Sequence, residues 1–281
     1  MKRQQINGMM IANENGQDTM SNLIKTASFN VNGIRARLPV LLHWLRTAEP
    51  DVLCLQETKV QNQDFPVEPF EAAGYTCAVS GQKGFNGVAI LSHEPMEVLG
   101  VGIDDGGPPD ETRLILARVR GITFLNTYVP QGTAPNSDRF QYKLSWFRRL
   151  RAMMERKFNP GDTLIWAGDF NVALDPRDVY DPEGLLGEIG FHPEEHRALE
   201  EVRRWGWVDV FRLHVQDDNQ FTFWDYRLPN ALARGLGWRV DHIWATESMA
   251  EKSKGAWIDV EPRRADRPSD HTPILGEFIM E

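Results

Sequence analysis

Several acids and amides in this chain stand where apolar runs give out. In "TLIWAGDFNVA" the run reaches Gly168 and then meets Asp169 and Asn171; "DVLCLQET" ends on Glu57; "LIKTASFNVNG" ends on Asn30 and Asn32. "GWRVDHIWAT" carries Asp241 inside an aromatic-aliphatic run, and "SDHTPI" sets Asp270 and His271 before another. A lone charge in an apolar interior is very costly, so carboxylates placed this way need a cation or a reaction to serve. Singly, each has an ordinary reading: Asn30 and Asn32 capping a turn, Glu57 ion-paired, Asp169 bonded to its own backbone, His271 structural. Together they describe a site assembled on one lip of a packed sheet core.

Metal-assisted phosphodiester hydrolysis is the chemistry that uses such a set. A hard cation such as Mg2+ takes oxygen ligands and keeps several waters, so one or two carboxylates and an amide suffice. Glu57 and Asp270 are the candidate ligands, with Asn30 beside them. The ion would act as a Lewis acid on the phosphoryl oxygen and steady the leaving alkoxide. Asp169 and Asn171 lie two residues apart and on an extended strand would face the same way. They could then share one water, Asp169 as base and Asn171 as orienter. His271 as an imidazolium held by Asp241 would stabilise charge on the phosphate oxygens, and Tyr128 in "NTYVPQG" offers a hydroxyl.

The elements that must position these residues are legible as patterns. Strand-length stretches recur: "LIKTASFNV", "DVLCLQE", "YTCAVSG", "NGVAILS", "RLILARV", "GITFLNTYV", "TLIWAGDF", "RVDHIWA" and "TPILGEF", most bounded by Gly, Pro, Asn or Asp. Three helical patterns lie between them. "LPVLLHWLRTAEP" presents Leu41, Leu42, Trp44, Leu45 and Ala48, with Pro39 placed near a first turn. "SDRFQYKLSWFRRLRAMMERK" presents Phe140, Leu144, Phe147, Leu150 and Met154, which turns its Arg and Lys outward. "HPEEHRALEEVRRWG" has Pro193 early and Gly206 as its stop. Strands adjacent in sequence favour mixed sheets over one parallel sheet. The expected architecture is α/β, two mixed sheets packed face to face with helices outside.

The chain has 281 residues, 41% hydrophobic and 25% charged, enough for a sizeable core. Residues 1–20, rich in Asn, Gln and Gly, read as a flexible tail without a signal peptide's apolar stretch, and 21–281 as a single catalytic domain. Apolar runs fall far short of the ~20 residues of a membrane helix. Cys54 and Cys77 form no CxxC pair and read as reduced thiols of a cytoplasmic protein. A net charge of −9 argues mildly against a nucleic-acid partner, although acids gathered round a cation lower the total without repelling a phosphate.

The ordered blocks "SFNVNGIRARL", "PDVLCLQETK", "FNGVAILS", "NTYVPQG", "GDFNVA", "FTFW", "GWRVDHIWAT" and "SDHTPI" resemble the exonuclease III family of abasic-site endonucleases, within the endonuclease/exonuclease/phosphatase superfamily. The resemblance runs from about Ile24 to the last strand. It implies a four-layered α/β sandwich and dependence on Mg2+, with Mn2+ as a substitute. It further implies cleavage of duplex DNA 5′ to abasic sites, 3′-repair phosphodiesterase or phosphatase activity, and 3′→5′ exonuclease activity in a monomer.

Carried over by motif, the resemblance gives Asn30, Glu57 and Asp270 to the metal. It gives Tyr128 to the phosphate or leaving group, Asp169 and Asn171 to the attacking water, and Asp241 with His271 to the phosphate. Asn32, which some relatives replace by Asp, and Gln131 fall to substrate contacts. Phe223, Trp238 and Val240 fall to a small apolar pocket for a flipped, base-free sugar. The ordinary alternative for these three is core, which is where Trp224 is placed. Arg35, Arg37, Lys59, Lys83 and Arg227 or Arg234 would form a basic rim against the DNA backbone. The competing readings are a phosphoesterase of the same superfamily acting on inositol phosphates or lipid head groups, and a non-catalytic DNA-binding relative.

Overall fold

Runs such as "VLCLQ" and "VAILS", apolar on both faces, are suited to strands covered on both sides, and they form them. The computed structural model describes residues 22–107 and 111–280, so the polar stretch 1–20 lies outside the described residues. One sheet is built from β1 (Leu23–Asn30), β2 (Val52–Gln56), β3 (Thr76–Ser80), β4 (Val88–Ser92), and later β11 (Ser253–Ile258) and β12 (Ile274–Ile279). The other takes β5 (Met96–Val101), β6 (Leu114–Val119), β7 (Ile122–Tyr128), β8 (Leu164–Asp169), β9 (Trp207–Asp209) and β10 (Asp241–Thr246). The orders are β11-β12-β1-β2-β4-β3 and β5-β6-β7-β8-β10-β9. Each sheet has one parallel pair at its centre, β1 with β2 and β7 with β8, so both sheets are mixed as expected.

The helices are α1 (Ile34–Ala48), α2 (Val67–Glu71), α3 (Asp138–Lys157), α4 (Pro193–Arg203), α5 (Val210–His214), α6 (Glu247–Ala250) and α7 (Glu261–Arg264). Three large apolar clusters correspond to three interfaces. Cys54, Ile90, Phe124, Ile165 and Ile243 fill the space between the sheets. Phe29, Leu41, Trp44 and Leu55 join α1 to the first sheet, while Trp146, Phe147, Leu150, Trp166 and Trp244 join α3 to the second. Helix, sheet, sheet and helix make the four-layered α/β sandwich. Among the described residues no helix is long and apolar enough to cross a membrane.

Two expectations about helices need correction. Pro39 lies inside α1, which begins at Ile34, and not in a first turn. Gly33 and Ile34 give their N–H groups to the carbonyls of Glu57 and Thr58 (2.7 and 3.1 Å), so the helix starts against the chain leaving β2, earlier than its apolar face suggests. Pro39 is exposed and costs the helix one hydrogen bond on its wet side. The second correction concerns α3: its cations do not all face outward, because Lys143 is fully buried while Leu144 is only half-buried. The ammonium is paired with Glu195 of α4, which is equally buried. Three strands, β5, β9 and β11, carry too little apolar alternation to stand out in the sequence; all three are edge strands, and β5 has no buried residue and β11 one.

Beneath the site the sheets are bolted by polar groups. Asn126 of β7 donates to the carbonyls of Leu55 and Ala89 in the opposite sheet (3.0 and 2.8 Å) and accepts from Gln56 Nε2 at 2.8 Å. Cys54 is buried and Cys77 half-buried; burial pushes both thiols up, Cys77 to about 12, which leaves them as unreactive thiols.

Candidate active site

Strand register brings the predicted residues to one edge. Asn30 is level with Gln56, the residue before Glu57, and Tyr128 is level with Asp169. Asp241, which the sequence sets inside an aromatic-aliphatic run, opens β10 and is opposite Asp169 across an antiparallel pair. Asn30 Nδ2 donates to Glu57 Oε1 and to Asp169 Oδ2, both at 2.8 Å, and so ties one sheet's acid to the other's. His271 Nδ1 meets Asp241 Oδ2 at 2.7 Å, with its Nε2 3.9 Å from Asp169 Oδ2. Glu57, Asp169 and His271 each present an atom within 4.8 Å of the other two. Asn32 Nδ2 donates to Asp270 Oδ1 at 2.9 Å, which places that amide with the acids.

"GDFN" answers to local sterics. A Cβ on Gly168 would come within 2.1 Å of the Thr127 carbonyl, so only glycine lets β8 lie this close to β7 ahead of Asp169. Asp169 and Asn171 do not share a face of an extended strand. β8 ends at Asp169, Asn171 takes a left-handed backbone (φ 51°), and its N–H donates to Asp169 Oδ1 at 2.8 Å. The turn that Asp169 was expected to make as a mere structural residue is therefore the device that returns Asn171 to the site. Asn171 Nδ2 donates to the Val129 carbonyl at 2.9 Å, which leaves its amide oxygen for other partners.

The electrostatics are set by burial among like charges. Burial raises the Asp169 carboxyl to about 7, helped by Asp241 and Glu57 and opposed by His271 and Asn30. Burial opposes the His271 imidazolium, but Asp241 and Asp169 outweigh it and raise the group to about 10. Burial also raises Tyr128 well above its ordinary value, with Glu57 and Asp169 adding to it, so the phenol keeps its proton and is a donor toward Glu57. Arg113 stacks over the Tyr128 ring at 4.8 Å; nothing in the sequence pattern singled it out.

The oxygen set suits a hard cation. Glu57 Oε2 holds the Lys59 ammonium at 2.7 Å, and the same ammonium reaches Asn32 Oδ1. Lys59 thus belongs to the acid cluster and not to the outer rim, drawn in by the charge on Glu57. Burial works against the Glu57 carboxylate, yet Lys59 and Asn30 lower its pKa overall. Glu57, Asp169 and His271, with the Asn30 amide bonded to both acids, form the grouping that could hold a divalent ion, and Asp270 is tied in through Asn32.

Phe223, Trp238 and Val240 gather beside this cluster with Ala173, Val179 and Phe191. Phe223 bridges both Trp238 and His271, its ring 4.8 Å from the imidazole. Phe223 and Trp238 are half-buried, Val240 is buried, and Trp224 is core at 4% exposure. Between the pocket residues sits Arg239, fully buried and bonded to Asp178 and Asp209 (2.8 Å each). The sequence reading passed over it, although alternation along "WRVD" turns it away from its neighbours. Gln131 is exposed in a cleft with Tyr128 and Arg113. Of the expected rim, Arg35 pairs with Asp64 and Arg227 with Asp225; Arg37 donates to Tyr226 and the Pro268 carbonyl, Arg234 to the Pro229 carbonyl, and Lys83 is exposed.

A profile of the endonuclease/exonuclease/phosphatase family matches residues 27–271. The chain is 31% identical over 271 residues to exodeoxyribonuclease III of Haemophilus influenzae, covering 91% of this chain and 100% of that protein. An AP endonuclease from Archaeoglobus fulgidus superposes with a TM-score of 0.87 at 44% identity, over 91% of this chain and 99% of that one. A 3′ phosphatase from Neisseria, bound to a product DNA hairpin, superposes with a TM-score of 0.84 at 33% identity over the same shares, 91% and 99%. The chain belongs to the endonuclease/exonuclease/phosphatase family, in its exonuclease III group.

Proposed function

We propose that this chain is a single-domain, monomeric cytoplasmic DNA-repair nuclease that hydrolyses the phosphodiester 5′ to abasic sites in duplex DNA. It also clears blocked 3′ ends and has 3′→5′ exonuclease activity. The observation that carries the abasic-site reading is the contact between Phe223 and His271: a half-buried apolar surface of Phe223 and Trp238 lies directly against the acid cluster. A base-free sugar turned out of the helix would fill a pocket on that surface where a full nucleotide would not. The names of the similar proteins, an exodeoxyribonuclease, an AP endonuclease and a 3′ phosphatase, support the same substrate class.

Glu57, Asp270 and Asn30 would hold a divalent ion, Mg2+ or Mn2+, which when bound supplies Lewis-acid stabilisation of the phosphate and leaving oxygen. In this reading Asp169 takes a proton from the water and Asn171 orients it. His271, held as imidazolium by Asp241, stabilises the phosphate oxygens, and Tyr128 donates its hydroxyl to the phosphate or leaving group. Asn32 and Gln131 contact the substrate backbone, while Phe223, Trp238 and Val240 enclose the sugar.

The test uses a duplex bearing one tetrahydrofuran site, with a 3′-phosphate nick, an intact blunt duplex and an inositol polyphosphate in parallel. Incision 5′ to the tetrahydrofuran that EDTA abolishes and Mg2+ restores is the expected result. Cleavage that persists in EDTA, or phosphate release from the inositol compound exceeding DNA nicking, would reject the reading. Asp169→Asn should lower turnover by about a hundredfold or more while duplex binding stays near wild type, and unchanged turnover would remove Asp169 from the role of base.

A further inference from the structure

We infer that the buried Lys143–Glu195 ion pair is a positioning device for the attacking-water amide, an inference that rests on the function proposed above. The Lys143 ammonium donates to the Asn171 carbonyl at 2.8 Å, to the Gln131 carbonyl at 3.1 Å and to Glu195 Oε1. Those three bonds exhaust its donors. Glu195 Oε2 accepts the N–H groups of Gly190 and His192 at 2.7 and 3.2 Å. One pair therefore joins the loop after β7, the turn after β8 and the loop ahead of α4. Both side chains are 0% exposed.

Asn171 is held at all three of its other polar points. Its N–H is held by Asp169, its side-chain amide by the Val129 carbonyl, and its own carbonyl by Lys143. The left-handed turn is flanked by bonds from Phe170 N–H to the Val240 carbonyl and from Ala173 N–H to the Gly190 carbonyl (2.9 and 2.8 Å), and the lysine holds the Asn171 carbonyl between them. The same pair reaches the pocket wall. Gly190 (φ 90°) lies so close that a Cβ there would sit 3.4 Å from the Asn171 carbonyl and 3.5 Å from the Trp238 ring. Water-orienting amide and sugar pocket are thereby held in one register.

Stability is a weak reason for the pair to exist, since a buried ion pair replaced whole by apolar residues of similar volume is often neutral or stabilising. Placement is what an apolar replacement cannot reproduce, because it offers the Asn171 carbonyl and the Gly190 N–H nothing. Displacing a reacting group by about 1 Å can cost about a hundredfold in rate.

The experiment compares wild type, the double variant Lys143→Met with Glu195→Leu, and the isosteric Glu195→Gln. Melting temperature, kcat and KM are measured on the tetrahydrofuran duplex and on the 3′-phosphate nick, with pH profiles. For the double variant the expected result is a lowered melting temperature, because the Gln131 and Asn171 carbonyls and the Gly190 and His192 N–H groups lose their partners, with kcat per folded molecule lowered by about tenfold to a hundredfold on both substrates, KM little changed, and the acid limb of the profile unmoved because Asp169 is intact. Glu195→Gln, which keeps the shape, should lose kcat to a smaller degree in the same pattern, and it decides the matter where the double variant does not fold. A folded variant with wild-type kcat, or a loss of kcat that simply tracks loss of folded protein, overturns the inference. A wild-type protein inactive on both substrates overturns the functional reading instead.

Discussion

At the scale of single residues, the two groups with opposite tasks are set by the same neighbours. Burial raises Asp169 to about 7 and the flanking acids Asp241 and Glu57 add to it; Asp241 and Asp169 in turn hold His271 as imidazolium to about 10 against the pull of burial. A base must be ionised and a phosphate-stabilising cation protonated, so activity should rise through about 7, level off, and fall near 10. A bound cation favours the charged carboxylate, so the acid limb should move lower as metal concentration increases. Asp241→Asn removes a charge that raises both groups, and both limbs should then shift to lower pH together. Initial rates between pH 5 and 11 at several Mg2+ concentrations measure this, and a profile flat through the whole range would contradict the roles given to Asp169 and His271.

At the scale of elements, the bridge between the sheets fixes the distance between their acid-bearing ends. Asn126 satisfies the carbonyls of Leu55 and Ala89 and the Gln56 amide from across the sandwich, two residues before Tyr128 and one before Glu57 respectively. Asn126→Leu takes this donor from the buried Leu55 and Ala89 carbonyls, while the Gln56 amide keeps Ser28 Oγ and the Cys54 carbonyl, and should destabilise the protein by about 2 kcal/mol, read as a lower urea midpoint with an unchanged slope. A midpoint within error of wild type would show that the sheets keep their spacing by apolar packing alone. Asn126 was invisible in "GITFLNTYV" because an amide inside an apolar strand shows its worth only when the facing sheet is known. The strands themselves were legible, since residues 52–55 and 88–91 are apolar throughout. Of the residues that gather at one edge, Asn30, Glu57, Asp169 and Asp241 stand at or beside a strand end or start. The local geometry of the site was not legible: alternation assigned Asn171 to a strand, whereas Asp169 captures its N–H and turns the chain. Lys143 escaped for a similar reason, because a helical pattern shows where a cation falls but not whether a carboxylate on another helix awaits it.

For the whole molecule, the conflict between a net charge of −9 and a polyanionic substrate turns on where the cations are already engaged. Arg35 and Arg227 are neutralised by Asp64 and Asp225, and Lys59 by Glu57. Arg37 and Arg234 donate to neutral oxygens, and Lys83 is exposed with no partner among the described residues, so three rim cations keep their charge for phosphates. Each phosphate neutralised contributes about −0.9 to the dependence of log affinity on log salt. Duplex binding should therefore weaken with a slope of about −3, and specificity should lean on the apolar pocket and the metal more than on backbone charge. The measurement is the affinity of Asp169→Asn for a tetrahydrofuran duplex across a KCl series in Mg2+, where turnover is suppressed. Lys83→Ala should make the slope shallower by about one and weaken abasic and intact duplexes alike, whereas Trp238→Ala should leave the slope alone and weaken only the abasic duplex. A slope steeper than about −6 would mean that a much larger basic surface contacts the DNA than the one formed by Arg37, Lys83 and Arg234, and the division of labour between pocket and rim would have to be abandoned.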